Sequence, residues 1–523
     1  MKKQYRYLYL IPILVTVVAV VWVYTLWNNK ETIKQYNSID RPPKIFPEYL
    51  ETIIPPNIAP LNFLIHEDGT RYCAKIYSKN GQTIEVFNRS PKIKIPKNPW
   101  HQLLNINRGE EIYFDVFVKT KNGQWNRFST FTNKIANDNI DSFLVYRKIP
   151  PVHGTWGRMG IYQRNLENFD ESLVLHNRFF QAGCLNCHTF CQNHPDKMLI
   201  AIRSQEYGSS TILVEDGVVN KIGTKFTYTS WHPSGRLAAY SVSKPGQFFH
   251  TARDEVRDVI DLDSLLAYYL VDSRTVKVSP KFAKKDRLET YPTWSPDGRY
   301  LYFCSAPLLW SAQNVVLPEH YKATKYDLLR ISYDIDRDEW GEVETVLSAS
   351  DTGLSILEPR ISPDGRWLLF CMCNYGCFPV YQQSSDLYLM DLQTAQQTGR
   401  YEYRRLDINS DESESWHSWS SNSRWLAFSS KKGTYVFTRI YLSYVDHNGK
   451  IYKPLLVPQK DPTFYDSYLL TYSVPELTIE PVQTRAAELG WALRSSRKIS
   501  PDLPITMATP GVETAPGPWK ERE

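Results

Sequence analysis

The sequence predicts an all-β chain behind an amino-terminal membrane anchor. Three observations carry that prediction. Aromatic residues make up 14% of the 523, with 34 Tyr and 15 Trp beside 33 Pro and 24 Gly. Aromatics suit pleated, half-buried strands, and Pro and Gly punctuate turns. A tight turn of the type Ser/His-Pro-Asp/Ser-Gly-Arg recurs between apolar runs. One apolar run of membrane-spanning length stands near the start, and no later segment resembles it. The length calls for two or more domains. Net charge is only +5, with no basic stripe, so nucleic-acid binding is disfavoured. Eight Cys are too few for a disulfide scaffold at this size.

The first element is the apolar run Leu8–Trp27, preceded by Lys2, Lys3 and Arg6. Twenty such residues match a hydrocarbon core of roughly 30 Å. Tyr7, Tyr9, Trp22, Tyr24 and Trp27 sit towards its two ends, as interfacial aromatics do, and the positive flank should stay in the cytoplasm. No small-x-small cleavage site follows. Residues 1–27 therefore read as a cytoplasmic stub and single-pass signal-anchor, which places the body in the periplasm. Residues 28–57 are polar and then Pro-rich, a stiff linker. Across 58–147, runs such as RYCAKIY and YFDVFVK alternate with EDGT and two Lys-Asn-Gly hairpin signals. Five to seven short strands suggest a β-sandwich of the fibronectin type III kind.

Beyond residue 148 the signal is repetition. Thr189–Ile202, Thr229–Tyr240, Thr293–Phe303, Arg360–Phe370 and His417–Phe428 align. Most show an incoming strand, the Pro-Asp/Ser-Gly turn and an outgoing apolar strand. Pro presets φ, Asp folds back on the backbone and Gly admits positive φ. A further strand follows each copy, and four strands per unit make a propeller blade. A sixth blade would form from the early GRMGIYQRNL and SLVLHN strands with the late YLLTYSVPEL strand. Insertions near 244–262, 305–325 and 373–385 mark where function concentrates on a rigid ring. Residues 478–523 read as a flexible tail with one short helix-like piece. The motif, written here as Ser295-Pro296-Asp297-Gly298-Arg299 and Ser362-Pro363-Asp364-Gly365-Arg366, resembles the TolB-like propeller repeat. The resemblance covers roughly 189–475 and implies a TolB-like β-propeller of about six blades over 148–477. It leaves function open.

Cys184-Leu185-Asn186-Cys187-His188 has the C-x-x-C-H form of c-type haem attachment. Two thiols three residues apart on one turn each bond a vinyl group of one porphyrin, and the adjoining His reaches the iron. Cys184 and Cys187 are the expected attachment residues for haem c, and His188 is the expected proximal ligand. Met198 and His194 are candidates for the distal ligand, with Met159, His153, His176 and His250 further away; the sequence does not choose. Cys184, Cys187, Cys191 and His194 also have zinc-ligand spacing. A thioredoxin-like pair would want a βαβ context, which is absent. Cys371, Cys373 and Cys377 cluster in one insertion, where a disulfide is reasonable. Cys73 and Cys304 read as buried thiols, His417 as a packed repeat residue, and Asp411, Glu412 and Glu414 as a solvated acidic turn. No hydrolase elbow, HExxH or phosphate loop is present.

Anchor, sandwich, C-x-x-C-H and repeats together resemble TolB-like propeller proteins with a cytochrome c motif in bacterial envelopes. That resemblance implies a membrane-anchored haem protein for electron transfer or haem-based sensing. Its expected partners are envelope redox or membrane proteins, with the membrane itself reached through the N-terminal helix. The alternative is a non-haem interaction scaffold in which the C-x-x-C-H segment is structural or zinc-binding.

Overall fold

The computed structural model describes residues 32–151, 158–181, 183–249, 257–310 and 318–501. The expected anchor, residues 1–27, lies outside them. Among the described residues no helix is long and apolar enough to cross a membrane.

The chain is all-β and propeller-like. Six four-stranded antiparallel sheets follow one another around a ring. Their innermost strands are Cys184–Cys191, Thr227–Trp231, Arg287–Trp294, Ser355–Ile361, Glu414–Trp419 and Thr471–Thr478. Each packs on the next, and the last packs back on the first. We number the sheets blades 1 to 6 in that order. Blade 6 closes the ring. Its inner strand Thr471–Thr478 pairs with Phe143–Ile149, followed outward by Gly160–Asn165 and Glu171–His176. Phe143–Ile149, most of which the sequence assigned to the sandwich, thus belongs to the propeller.

The repeated turn works as its chemistry suggests. The Ser295 hydroxyl lies 2.5 Å from Asp297 Oδ1, which accepts the Arg299 amide at 3.0 Å, and the Tyr300 amide donates to Ser295 Oγ at 2.9 Å. Ser362 and Asp364 repeat this, and Ser420 and Asn422 do so in blade 5. Gly298 has φ +73°, and a Cβ there would lie 2.4 Å from His232 Nε2. The glycine therefore serves both the turn and the close seat of blade 2 on blade 3.

The amino-terminal unit has two sheets on one core. A seven-stranded sheet is centred on Glu111–Lys119, and a three-stranded sheet joins Ile45–Phe46, Phe63–Ile65 and Lys92–Ile93. Ten strands, two parallel pairings and the helix Lys97–Ile106 depart from a seven-stranded fibronectin pattern. The Pro-rich 28–57 linker is also corrected. Asn37–Ile39, Ile45–Phe46 and Ile53–Ile54 are strands of this unit, because Tyr49, Ile54 and Ile58 are buried in its core. Short pieces suit Pro-rich sequence at sheet edges. That core is continuous with blade 5 through Trp425, Ala427, Ile440 and Leu442.

Part of the 478–523 tail is ordered. The helix Ala486–Arg494 buries Leu489 and Leu493, four residues apart on one face, in the core shared by blades 6 and 1. Lys221 Nζ donates to the Leu493 and Ser495 carbonyls at 2.6 and 3.2 Å.

Candidate binding site on the ring axis

One strained backbone position in each of blades 2 to 6 lines the axis. Tyr228, Tyr291, Glu358, Trp416 and Val474 take φ of 46°, 50°, 52°, 47° and 51°. Each sits where the inner strand slips register against its neighbour, and blade 1 slips between Leu185 and His188. Such bulges bend a strand and re-aim its side chains. Left-handed backbone costs a β-branched residue such as Val474 on the order of 1–3 kcal/mol. Its recurrence marks the axis as a built feature.

The bulge residue and its successor from every blade meet in one small axial chamber. These pairs are Cys187-His188, Tyr228-Thr229, Tyr291-Pro292, Glu358-Pro359, Trp416-His417 and Val474-Pro475. The chamber holds about 20 Å³, room for about one water. Two larger cavities flank it. The first, about 470 Å³, lies at the end where the inner strands begin; the second, about 400 Å³, lies where they end. Tyr228 and Trp416 border both the first cavity and the chamber, and Arg360 and Glu476 border both the chamber and the second cavity. The Tyr228 ring lies 4.3 Å from Tyr291 and 6.3 Å from Trp416, and Phe378 lies 6.1 Å from Trp416. These aromatics form a plug between first cavity and chamber.

Two of the three insertions line the first cavity, and the third packs on them through Tyr321 and Trp310. Blade 2 extends into the long hairpin Leu237–Phe249 and Arg257–Leu270. Its buried Asp258 accepts from Tyr321 at 3.0 Å, Tyr375 at 2.8 Å and Gln382 at 3.3 Å. The Arg257 guanidinium lies 4.3 Å from the centre of the Tyr381 ring. Arg147, Arg203 and Lys225 line the cavity beside Met159, Phe378, Tyr381 and Trp416, and among the described residues no carboxylate is in its walls. Arg147 is fixed by bonds to the Leu185 carbonyl at 2.9 Å and Ser473 Oγ at 2.9 Å. Burial, with Arg203 nearby, pushes the Lys225 ammonium down to about 8.

This geometry corrects the haem reading. Cys187-His188 occupies the same register as Tyr228-Thr229 and Trp416-His417, so the motif coincides with a propeller repeat position. The segment is a strand, Cys184–Cys191, not a helical turn. Cys184 faces the first cavity, whereas His188 faces the chamber. The His188 imidazole is 1% exposed with neither ring nitrogen bonded, and the space before it holds about one water. A porphyrin does not fit there. Burial and Arg147 lower the His188 pKa to about 3. Met198 is fully buried within blade 1, and His194 is exposed at the hairpin tip beside the second cavity. Neither candidate distal ligand faces the first cavity, which the thiols border. Met159 borders that cavity; His176 accepts the Arg178 amide; His153 and His250 lie outside the described residues. On this geometry a haem-stained denaturing gel is expected to show no band at the chain's 60.9 kDa. A stained band that disappears in Cys184→Ala/Cys187→Ala would reverse the correction.

The zinc set is not assembled either. Cys191 Sγ faces the His232 carbonyl at 3.9 Å, and His194 lies at the opposite end of the axis from Cys184. All eight cysteines are free thiols. The expected acidic turn is corrected at Glu414, which is 1% exposed and accepts from Ser410 Oγ at 2.6 Å and Ser430 Oγ at 2.8 Å.

Sequence reasoning passed over Glu358 and read Cys371 only as a disulfide candidate, whereas it is a free buried thiol. Glu358 and His417 line the chamber, and Cys371 stands behind them in the second strand of blade 4. Cys371 Sγ is 3.6 Å from Glu358 Oε2 and 3.7 Å from His417 Nδ1. The Trp416 amide donates to Glu358 Oε2 at 2.6 Å, while Glu358 Oε1 has no partner. His417 Nε2 lies 3.2 Å from the Leu369 carbonyl. Only a protonated nitrogen bonds a carbonyl, so Nδ1 carries the lone pair. Aligning Tyr291-Pro292-Thr293, Glu358-Pro359-Arg360, Trp416-His417-Ser418 and Val474-Pro475-Glu476 would have exposed the axial register from sequence alone.

No family model and no curated protein matches this chain. Solved structures are similar to it at low identity. A puromycin hydrolase shares 14% identity over 60% of this chain and 45% of its own, with a TM-score of 0.35. Hydrazine synthase of Kuenenia stuttgartiensis shares 14% over 50% of this chain and 64% of its own, at 0.29. The β-propeller domain of the Trilobed protease from Pyrococcus furiosus shares 12% over 69% and 96%, at 0.33. The chain thus spans less than half of the puromycin hydrolase. At these scores the likenesses carry no inference about chemistry.

Proposed function

We propose that this protein is a non-haem, propeller-based binding protein. Its ligand is an anion with an apolar or aromatic body, of the size of a short peptide ending in a carboxylate. One observation carries the reading: a cavity of about 470 Å³ whose walls combine Arg147, Arg203 and Lys225 with Phe378, Tyr381 and Trp416 and, among the described residues, include no carboxylate. Pockets of this volume take small ligands, and a few placed polar groups set orientation. The cations would hold the carboxylate, and the aromatic plug would stack on the body. The apolar run Leu8–Trp27 supports a further part of the reading, that the propeller is tethered to the outer face of a membrane.

The test uses calorimetry with a short aromatic peptide, once with a free C-terminal carboxylate and once as the amide. The carboxylate form is expected to bind about tenfold more tightly, and Lys225→Met to lose about tenfold for that form alone. Equal binding of both peptides, binding of neither, or an unaffected Lys225→Met would overturn the reading.

A further inference from the structure

We propose that Glu358, Cys371 and His417 form a binding site for a divalent ion of the zinc class, opening onto the axial chamber. Their ligand atoms all lie within 4.8 Å of one another, and all three side chains are buried. Thiolate, imidazole and carboxylate together suit a borderline-soft ion, and three protein ligands leave a coordination position open.

The surroundings fit a metal site in three further ways. The Leu369 carbonyl holds His417 Nε2, so the Nδ1 lone pair faces the cluster. A carbonyl behind a ligating imidazole is the usual outer-shell device for fixing its tautomer and orientation. Glu358 Oε1 is a buried oxygen with no partner, and a cation would give it one. The chamber in front has room for about one water, and His188, whose two ring nitrogens also lack partners, lines it. A metal-bound water there would meet an unused imidazole. Access runs along the axis, because Glu358 and His417 themselves line the chamber.

The energetics explain why the ion would bind with proton release. Without metal, burial pushes the Cys371 thiol well above its usual range, brings Glu358 up to about 7 and lowers His417 to about 3. The Cys371 thiol and the His417 imidazole are then neutral, and Glu358 divides between its two forms near neutral pH. Binding M²⁺ forms the sulfur–metal bond and breaks the S–H bond, and the proton leaves to solvent. The carboxylate, if protonated, releases a second proton in the same way. No electrons move. Affinity should therefore rise with pH.

The experiment is a Co²⁺ titration of the reduced full-length chain in detergent, followed by competition with Zn²⁺. One equivalent should bind, with a thiolate-to-cobalt charge-transfer band in the near ultraviolet and release of protons into a weakly buffered solution. Cys371→Ser should lose the band. His417→Gln, which keeps a donor for the Leu369 carbonyl, should weaken binding by about tenfold or more while the melting curve stays cooperative. Cys184→Ser/Cys187→Ser should leave band and affinity unchanged. Absence of Co²⁺ binding, a band surviving Cys371→Ser, or a band lost only in the Cys184/Cys187 variant would overturn the proposal. If Cys371→Ser does not fold, an affinity unchanged by His417→Gln overturns it alone. None of these readouts depends on the anionic ligand.

Discussion

Replacing Glu289 by Gln is expected to stabilise the protein at alkaline pH, by an amount that grows from acid to base. Glu289 lies on the inner strand of blade 3 and is 1% exposed. Its Oε1 accepts the Lys284 amide at 3.2 Å, and its Oε2 has no partner. Burial dominates and brings the carboxyl up to about 9. The sign follows from linkage. A carboxyl whose folded pKa exceeds its unfolded value favours folding below the unfolded pKa. That contribution is lost as pH rises from about 4.5 towards about 9, because the unfolded chain ionises first. At one pKa unit per 1.4 kcal/mol, the loss by pH 9 is on the order of 3–6 kcal/mol. Gln keeps the acceptor for Lys284 and cannot ionise. Denaturant melts at pH 4.5, 7 and 9 test this. The variant should match wild type at the lowest pH and exceed it increasingly above. A pH-independent difference between the two proteins would show that Glu289 is not held neutral.

Trp425→Ala is expected to cost about 4 kcal/mol and to loosen the amino-terminal unit and the propeller together. Trp425 is fully buried in the core that the two share, and its indole donates to the Asp138 carbonyl at 3.1 Å. Tyr444 packs edge-on at 5.1 Å and donates its hydroxyl to Asp138 at 2.8 Å. Nearby, Ser421 bonds Asp141 through its amide at 2.8 Å and its hydroxyl at 2.6 Å. Removing the indole leaves a cavity and takes the partner from a part-buried carbonyl. Wild type should melt in a single transition by calorimetry, and the variant about 4 °C lower or in two steps. A loss below about 1 kcal/mol with one unchanged transition would mean that the two units are not coupled through this residue.

The repeats were legible because their turns impose chemistry on adjacent residues. Ser295, Asp297 and Gly298 each do a job that few other residues do, and the same pattern recurs at Ser362, Asp364 and Gly365. The ring closure by YLLTYSVPEL was legible for a related reason, since an open propeller would leave strand edges unpaired. The Pro-rich stretch misled because its burial comes from distant strands and not from its own periodicity. Cys184-Leu185-Asn186-Cys187-His188 misled because three-residue spacing has different meanings on a helix and on a bulged strand. The spacing was visible; the bulge was not. Glu358, Cys371 and His417 were illegible for a third reason. They come from two blades and three strands, and only the packing of blade 5 against blade 4 brings a residue at 371 beside one at 417.

The composition of blade 6 also bears on the chain's synthesis. Three of its strands lie before residue 177, but the strand that completes it ends at Thr478. While the ribosome is still making blades 1 to 5, Phe143–Ile149 has no inner partner, and the amino-terminal core awaits Trp425 from blade 5. Phe143–Ile149 therefore waits, with an open strand edge, until blades 1 to 5 have been made. Such an edge invites pairing with other nascent chains. A stop codon just before Thr471 would leave every earlier blade without a closed ring. Cellular holdases should accordingly engage this polypeptide until its last strand emerges.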